Sequence, residues 1–339
     1  MIAISRRMWL FLLLALLPGV ACANLPSLLP ASPTATPPLR VEAPASPVEP
    51  PQEEAATPTA TPTGTPAPTP TATPSPTPTP VGGRIAFLSN RNGDWELYVL
   101  QLETGQISQA TNDRQPKADL AWDLAGGALT YAVRYDREWR LGGSLPAPQA
   151  ITQAQSRGPT WSPDNQQVAY AGFERNNWDI YVSRAGWDAV VPLTDSLAAD
   201  WYPAWSPNGR WLAFTSNRDG NWEIYLLDLQ DGSLRNLTQH PAGDWYPAWS
   251  PDSQHLAFVS DRDGNEEIYL LPFSGGEATN LTRHPAGDWY PTWSPDGAFL
   301  AFASKRDGNF EIYMMDAAGE KVKRLTEDPG DDVFPVWRR

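Results

Sequence analysis

The chain carries a single cysteine, Cys22, with only three histidines and four methionines in 339 residues. One thiol excludes an intrachain disulfide, so packing and hydrogen bonds must hold the fold. Basic charge is also short: 25 Lys and Arg stand against 39 Asp and Glu, a formal −14. That balance repels nucleic acid and anionic headgroups, and no basic stripe offsets it. His240, His255 and His284 form no HExxH pair, so neither a metal nor a cofactor is expected. No G-x-S-x-G nucleophile elbow occurs either. Long apolar runs are missing apart from Met8 to Leu17, which is shorter than the roughly 20 residues a spanning helix needs.

That run does have the layout of a signal peptide: Arg6 and Arg7 precede it, and Pro18 and Gly19 end it. Gly19-Val20-Ala21-Cys22 is similar to a bacterial lipoprotein signal, although Gly19 stands where such signals usually carry Leu. On this reading residues 1–22 are the signal and Cys22 is lipidated, giving an exported protein anchored at the membrane and facing the periplasm or exterior. The lipid would be the protein's one contact with the membrane. Ala21-Cys22-Ala23 also fits ordinary cleavage, which would release a secreted protein, and an uncleaved anchor is the third alternative.

Residues 23–80 are dominated by Pro, Thr and Ala. Proline lacks the N–H that helices and sheets need, and few large apolar side chains are present to offset ordering entropy. A solvated tether with polyproline-II character is expected, spanning on the order of 170 Å at about 3.1 Å per residue.

From residue 81 the chain becomes periodic. Trp161, Trp205, Trp249, Trp293 and Trp337 recur every 44 residues, with Trp122 one shorter step before them. Three units are nearly identical: DWYPAWSPNGRWLAF from Asp200, DWYPAWSPDSQHLAF from Asp244 and DWYPTWSPDGAFLAF from Asp288. Each unit reads as four strands. Tyr202 to Trp205 comes first, a Ser206-Pro207 turn leads to Trp211–Thr215, and Asp219-Gly220 leads by a hairpin to Trp222–Leu227. Leu234 to Thr238 is a short fourth strand. The small Ala213 between Leu212 and Phe214 suits sheets packed face to face. Four strands per period is one propeller blade.

Six middle-strand signals, from Ile85-Ala86-Phe87 to Leu300-Ala301-Phe302, predict an all-β, six-bladed β-propeller over residues 81–339. The chain enters at the second strand of a blade. Val333 to Trp337 is a first strand with no successor, so it is expected to pair in the N-terminal blade and close the ring. The second unit departs from the pattern, and no strand like Glu223-Ile224-Tyr225 is visible between Arg134 and Gln149.

The WSP[DN] turns and the RDGN hairpins resemble the TolB-type (PD40, WD40-like) propeller repeat over roughly residues 83–339. The resemblance implies the fold and says little about the ligand. Such repeats also precede the catalytic domain of prolyl-oligopeptidase-like enzymes. Because the sequence ends at Arg339, just after closure, no hydrolase domain is expected to follow.

Alternate connections should emerge on opposite faces, placing the RDGN hairpins and HPAGDWYP connections together. The candidate ligand residues there are Trp201, Trp245, Trp289, Tyr202, Tyr246, Tyr290, Asp200, Asp244, Asp288, His240 and His284. Aromatic and acidic groups suit a basic peptide or a sugar. The competing reading is that residues repeated in every blade serve the blade, with Arg218, Arg262 and Arg306 paired to neighbouring acids. Asp261, Asp263, Asn265 and Glu267 lack the calcium-loop spacing and read as a hairpin. The expected function is a non-catalytic, monomeric binding propeller whose partner is a protein or peptide, with a glycan as a further possibility. The alternative is a carbohydrate-active lyase or glycosidase using acids of the central channel.

Overall fold

The computed structural model describes residues 83–123, 127–135, 138–143, 155–184 and 190–338. Residues 1–22, read above as a signal with Cys22 at its end, and the expected tether at 23–80 lie outside the described residues.

All regular structure among the described residues is β-strand. The first three strands are β1 (Arg84–Ser89), β2 (Glu96–Gln101) and β3 (Gln106–Gln109). Next come β4 (Lys117–Trp122), β5 (Leu129–Tyr135) and β6 (Glu138–Gly143), then β7 (Ser156–Trp161), β8 (Gln167–Glu174), β9 (Asn177–Arg184) and β10 (Val190–Pro192). The three regular units follow as β11 (Asp200–Trp205), β12 (Trp211–Ser216), β13 (Glu223–Asp228), β14 (Leu234–Asn236); β15 (Asp244–Trp249), β16 (His255–Ser260), β17 (Glu267–Pro272), β18 (Thr279–Asn280); and β19 (Asp288–Trp293), β20 (Phe299–Ser304), β21 (Glu311–Asp316), β22 (Lys323–Arg324). The last strand is β23 (Asp332–Trp337).

These strands form six antiparallel sheets, one per blade, in the ring of a six-bladed propeller. The first blade has the order β23-β1-β2-β3, so the C-terminal strand supplies its innermost member and closes the ring. Arg91 fastens the closure by donating to both carboxylate oxygens of Asp332, at 3.1 and 2.9 Å.

The alternation of small and large residues explains how the blades stack. Leu212 and Phe214 pack on Ala169 and Ala171 of the preceding blade, whereas Ala213 on the other face receives Leu256 and Phe258 of the following one. The same exchange joins Ala257 to Leu300 and Phe302. A large residue at the alanine position would overfill this interface, since interiors are close-packed. The recurrent tryptophans add inter-blade hydrogen bonds. Trp249 Nε1 donates to the Ala204 carbonyl at 3.0 Å, and Trp293 Nε1 to that of Ala248 at 3.2 Å.

In the WSP[DN] turn, Ser206 Oγ accepts from the Trp211 amide at 2.9 Å and donates to Asn208 Oδ1 at 2.8 Å, tying the corner shut. Two local expectations need correcting. The first strand of each regular unit starts two residues earlier than its Tyr-Pro pair suggests. Trp201 pairs with Thr215 and Ala204 with Ala213, so Tyr202 and Pro203 together face Phe214 in a β-bulge. Proline is tolerated there because a bulged position has no ladder bond to lose. The irregular second blade also has a third strand, β6, which pairs with β5 from Tyr135↔Glu138 to Thr130↔Gly143. Its sequence, EWRLGG, shares no residue pattern with EIY, but Leu141 occupies the core.

Candidate functional site

The acids that open the innermost strands lie inside the blades. Asp200, Asp244 and Asp288 are 0% exposed. Each accepts from an arginine of its own RDGN hairpin: Arg218 at 3.0 Å, Arg262 at 3.0 Å and Arg306 at 3.1 Å. Each guanidinium in turn lies over two aromatic rings, as Arg262 does at 5.4 Å from Phe258 and 4.6 Å from Tyr269. His240 and His284 are likewise bound into their own connections. Their Nδ1 atoms accept from the amides of Ala242 and Ala286 at 3.1 Å. Their own amides donate to the buried Glu223 and Glu267. Asp263 accepts from Tyr269 and Asn280, and Asn265 clasps the His284 carbonyl. This makes the calcium-like loop a hydrogen-bonded hairpin. Among the described residues no group of three His, Cys, Asp or Glu is placed to hold a metal.

Burial pushes the carboxyls of Asp244, Asp288 and Asp332 above their ordinary value, against the pull of neighbouring serines and arginines. The folded state therefore keeps protons that the unfolded chain, titrating near pH ~3.9, has already released. The stability these groups contribute falls as pH rises from that value through the raised folded one. Urea unfolding at several pH values between about 4 and 6 checks this. The stability difference between the native protein and Asp244→Asn should become less favourable to the native protein as pH rises, and a difference that grows with pH would contradict it.

The residue after the tryptophan behaves differently. In all six innermost strands this third position is in the left-handed region: Asp119 (φ 49°), Gly158 (60°), Tyr202 (51°), Tyr246 (54°), Tyr290 (56°) and Phe334 (53°). Left-handed backbone is uncommon for bulky residues and marks imposed local strain. The bulge turns these side chains onto the propeller axis. Ring centroids stand 4.1 Å apart for Tyr202–Tyr246, 4.6 Å for Tyr246–Tyr290 and 3.9 Å for Tyr290–Phe334. The Tyr246 hydroxyl donates to that of Tyr202 at 3.0 Å. Burial pushes all three phenols above their ordinary value, so they stay neutral donors.

The second and third blades fill the remaining arc with an ion pair. Arg157 Nε donates to Asp119 at 2.5 Å, the Gly158 amide donates to the same carboxylate at 3.1 Å, and the guanidinium lies 4.5 Å from the Trp139 ring. The channel is thereby blocked. A cavity of about 240 Å³ remains between this plug and the WSP[DN] face, lined by the third to sixth residues of the six innermost strands. Asp119 is the one acid in that lining. A larger groove, about 500 Å³, passes His240, Asp263 and Glu277 between the fourth and fifth blades.

On the opposite side of the plug lies the face of the RDGN hairpins. Trp201, Trp245 and Trp289 precede the plug residues there and are half-buried. Trp201 lies tilted against Trp178 at 4.0 Å, Trp178 meets Phe173 at 5.4 Å, and Trp245 lies 6.4 Å from Trp289. The candidate aromatics are thus brought together around the axis, while the candidate acids and histidines are held within their own blades and connections. Asp119 and Arg157 escape a consensus reading: their only sequence signal is departure from the repeat, Asp119 standing where the regular units have Tyr and Arg157 where they have Trp. Trp178 follows the repeat, at the position of Trp222.

Six four- or three-stranded sheets in a closed ring with a blocked axis define a β-propeller. Residues 147–290 match the family PD40, described as the TolB beta propeller domain. The folded region is a six-bladed β-propeller, and its residues 147–290 carry TolB-type PD40 repeats. TolB from Acinetobacter baumannii is similar at 22% identity and a TM-score of 0.66, over 77% of this chain and 68% of that one. A TolB described as putative, from Agrobacterium tumefaciens, is similar at 20% and 0.62, over 75% and 91%. A puromycin-hydrolyzing peptidase of Mycobacterium tuberculosis is similar at 14% and 0.51, over 71% of this chain but 45% of that one. At these identities the likeness is one of fold. No curated protein matches the chain in sequence.

Proposed function

We propose that this protein is a non-catalytic interaction propeller, exported and held at the cell envelope, which recognises another protein through the face carrying the RDGN hairpins. The observation that carries the reading is the half-buried tryptophan set Trp201, Trp245 and Trp289 around a plugged axis, on the face where six sets of loops converge. Large rigid aromatics with little rotamer entropy are the usual anchors of protein interfaces, and loops on a rigid scaffold position them. The plug supports recognition over passage, because Tyr202, Tyr246, Tyr290 and Phe334 crowd the axis. The signal-like start and Pro/Thr tether of the sequence support export and display away from a membrane.

The test is binding of the protein to arrays of peptides and of glycans or cell-wall fragments, with turnover of each hit followed. Saturable peptide binding without product is expected, weakened about tenfold or more by Trp245→Ala. Product formation from a glycan would overturn the reading.

A further inference from the structure

The connections that lead into the innermost strands of the fifth, sixth and first blades carry Pro241, Pro285 and Pro329 at one position. The connection into the fourth blade carries Leu197 there, and this side chain is fully exposed, at 104%. It does not hang from a loose loop. Asn177 Nδ2 donates to the carbonyls on either side of it, Ser196 at 2.8 Å and Ala198 at 2.9 Å. The same clasp, from Asn221 to His240 and Ala242, orders the next connection. A leucine held in water by an ordered backbone forgoes burial free energy that a contact would recover. A single exposed leucine is ordinary, but this one is fastened to the residue preceding Trp178, whose ring covers Trp201 and meets Phe173. The connection that carries it is therefore held against the strand of Trp178 at one corner of the face.

Charge on the same face has one dominant sign. The arginines of the hairpins, Arg91, Arg218, Arg262 and Arg306, are turned onto buried aspartates. The loops are left presenting Asp94, Asp195, Asp261, Glu266 and Asp331, none of them buried, beside Asp328, which lies 3.8 Å from Arg91, in a chain of formal charge −14. Against these stand the exposed cations Arg114, Arg175, Arg283 and Lys305.

We infer that the corner formed by Trp178, Leu197 and Trp201 anchors a cationic segment of a partner protein, an apolar side chain seated on the patch and flanking Lys or Arg residues facing the acidic loops. The inference rests on the interaction reading above and adds the subsite and the chemistry of the partner. Opposite potentials steer encounter and reject acidic competitors, and a desolvated cation gains from indole faces.

The test uses short peptides with a central Leu or Trp flanked by Lys, by Glu or by Ser, titrated against the protein. The Lys-flanked set should bind, losing about tenfold or more between about 50 and about 300 mM salt as screening shortens. Leu197→Asp, a surface change, should weaken that binding by about tenfold or more, whereas Pro285→Asp at the equivalent place in another connection should leave it unchanged. Equal binding of the Glu- or Ser-flanked sets, or equal sensitivity to the two substitutions, would overturn this inference and leave the interaction reading standing. Failure of every peptide to bind would overturn both.

Discussion

Deleting Asp332–Arg339 is expected to abolish cooperative folding of the whole ring. The deletion removes β23, which pairs with β1 from Ser89↔Asp332 to Ile85↔Trp337, and so uncovers an edge in the first blade. It also removes Val333 and Trp337, which are 6% and 5% exposed, and strips Arg91 of Asp332. The axis loses Phe334 from its plug as well. An open ring leaves two blade faces to water, and the apolar burial lost exceeds the marginal stability of a domain. Circular dichroism during heating and urea titration should show no sharp transition for the truncated chain. A truncated chain that melts like the full one would mean that the five other blades hold without closure. Trp337→Ala is the graded version and should cost about 3–5 kcal/mol.

Arg262→Ala should destabilise the protein by about 3–5 kcal/mol, because it leaves the fully buried Asp244 carboxylate without its cation. Arg262→Lys should restore only part of this. A lysine cannot hold Ser260 Oγ through one nitrogen at 2.9 Å and both Asp244 oxygens through another at 3.0 and 3.2 Å, as the guanidinium does, nor stack on Phe258 and Tyr269 as a plane. Urea unfolding measures both. A loss below about 1 kcal/mol for Arg262→Ala, the range of an exposed pair, would show that the Asp–Arg pairs are not struts. Asp200, Asp244 and Asp288 would then return as ligand candidates.

Much of the fold was legible because the repeat writes the same physics several times. The serine of WSP[DN] closes its corner through bonds to residues two and five positions on, and the Asp-Gly of the RDGN hairpin signals a reversal within a few residues. The leucine-alanine-phenylalanine alternation declares a strand that is large on one side and small on the other. Ring closure was legible from the unmatched first strand at Val333 to Trp337. The second blade was harder, since β6 offers Glu138-Trp139-Arg140-Leu141-Gly142-Gly143 where its siblings offer EIY. Its pairing is set by β5, not by its own propensity.

The candidate site was less legible. Tyr202, Tyr246 and Tyr290 could be named as ligand-face aromatics, but nothing within one repeat says that they meet. That meeting needs a bulge that turns them inward and a ring that brings successive repeats to one axis. The pairing of Asp119 with Arg157 joins the second and third blades for the same reason.

By itself, then, the sequence determined what depends on near neighbours: four strands per period, the turn chemistry, the number of blades and the strand left to close them. These follow from local hydrogen bonds and from alternation along a strand. The tertiary structure alone decided what depends on convergence around the axis. It put the repeated aspartates inside the blades, drove four aromatic rings from successive blades into one plug, and left Leu197 in water on a connection clasped by Asn177. Convergence of that kind is a property of the closed ring, in which side chains far apart in sequence compete for one small volume.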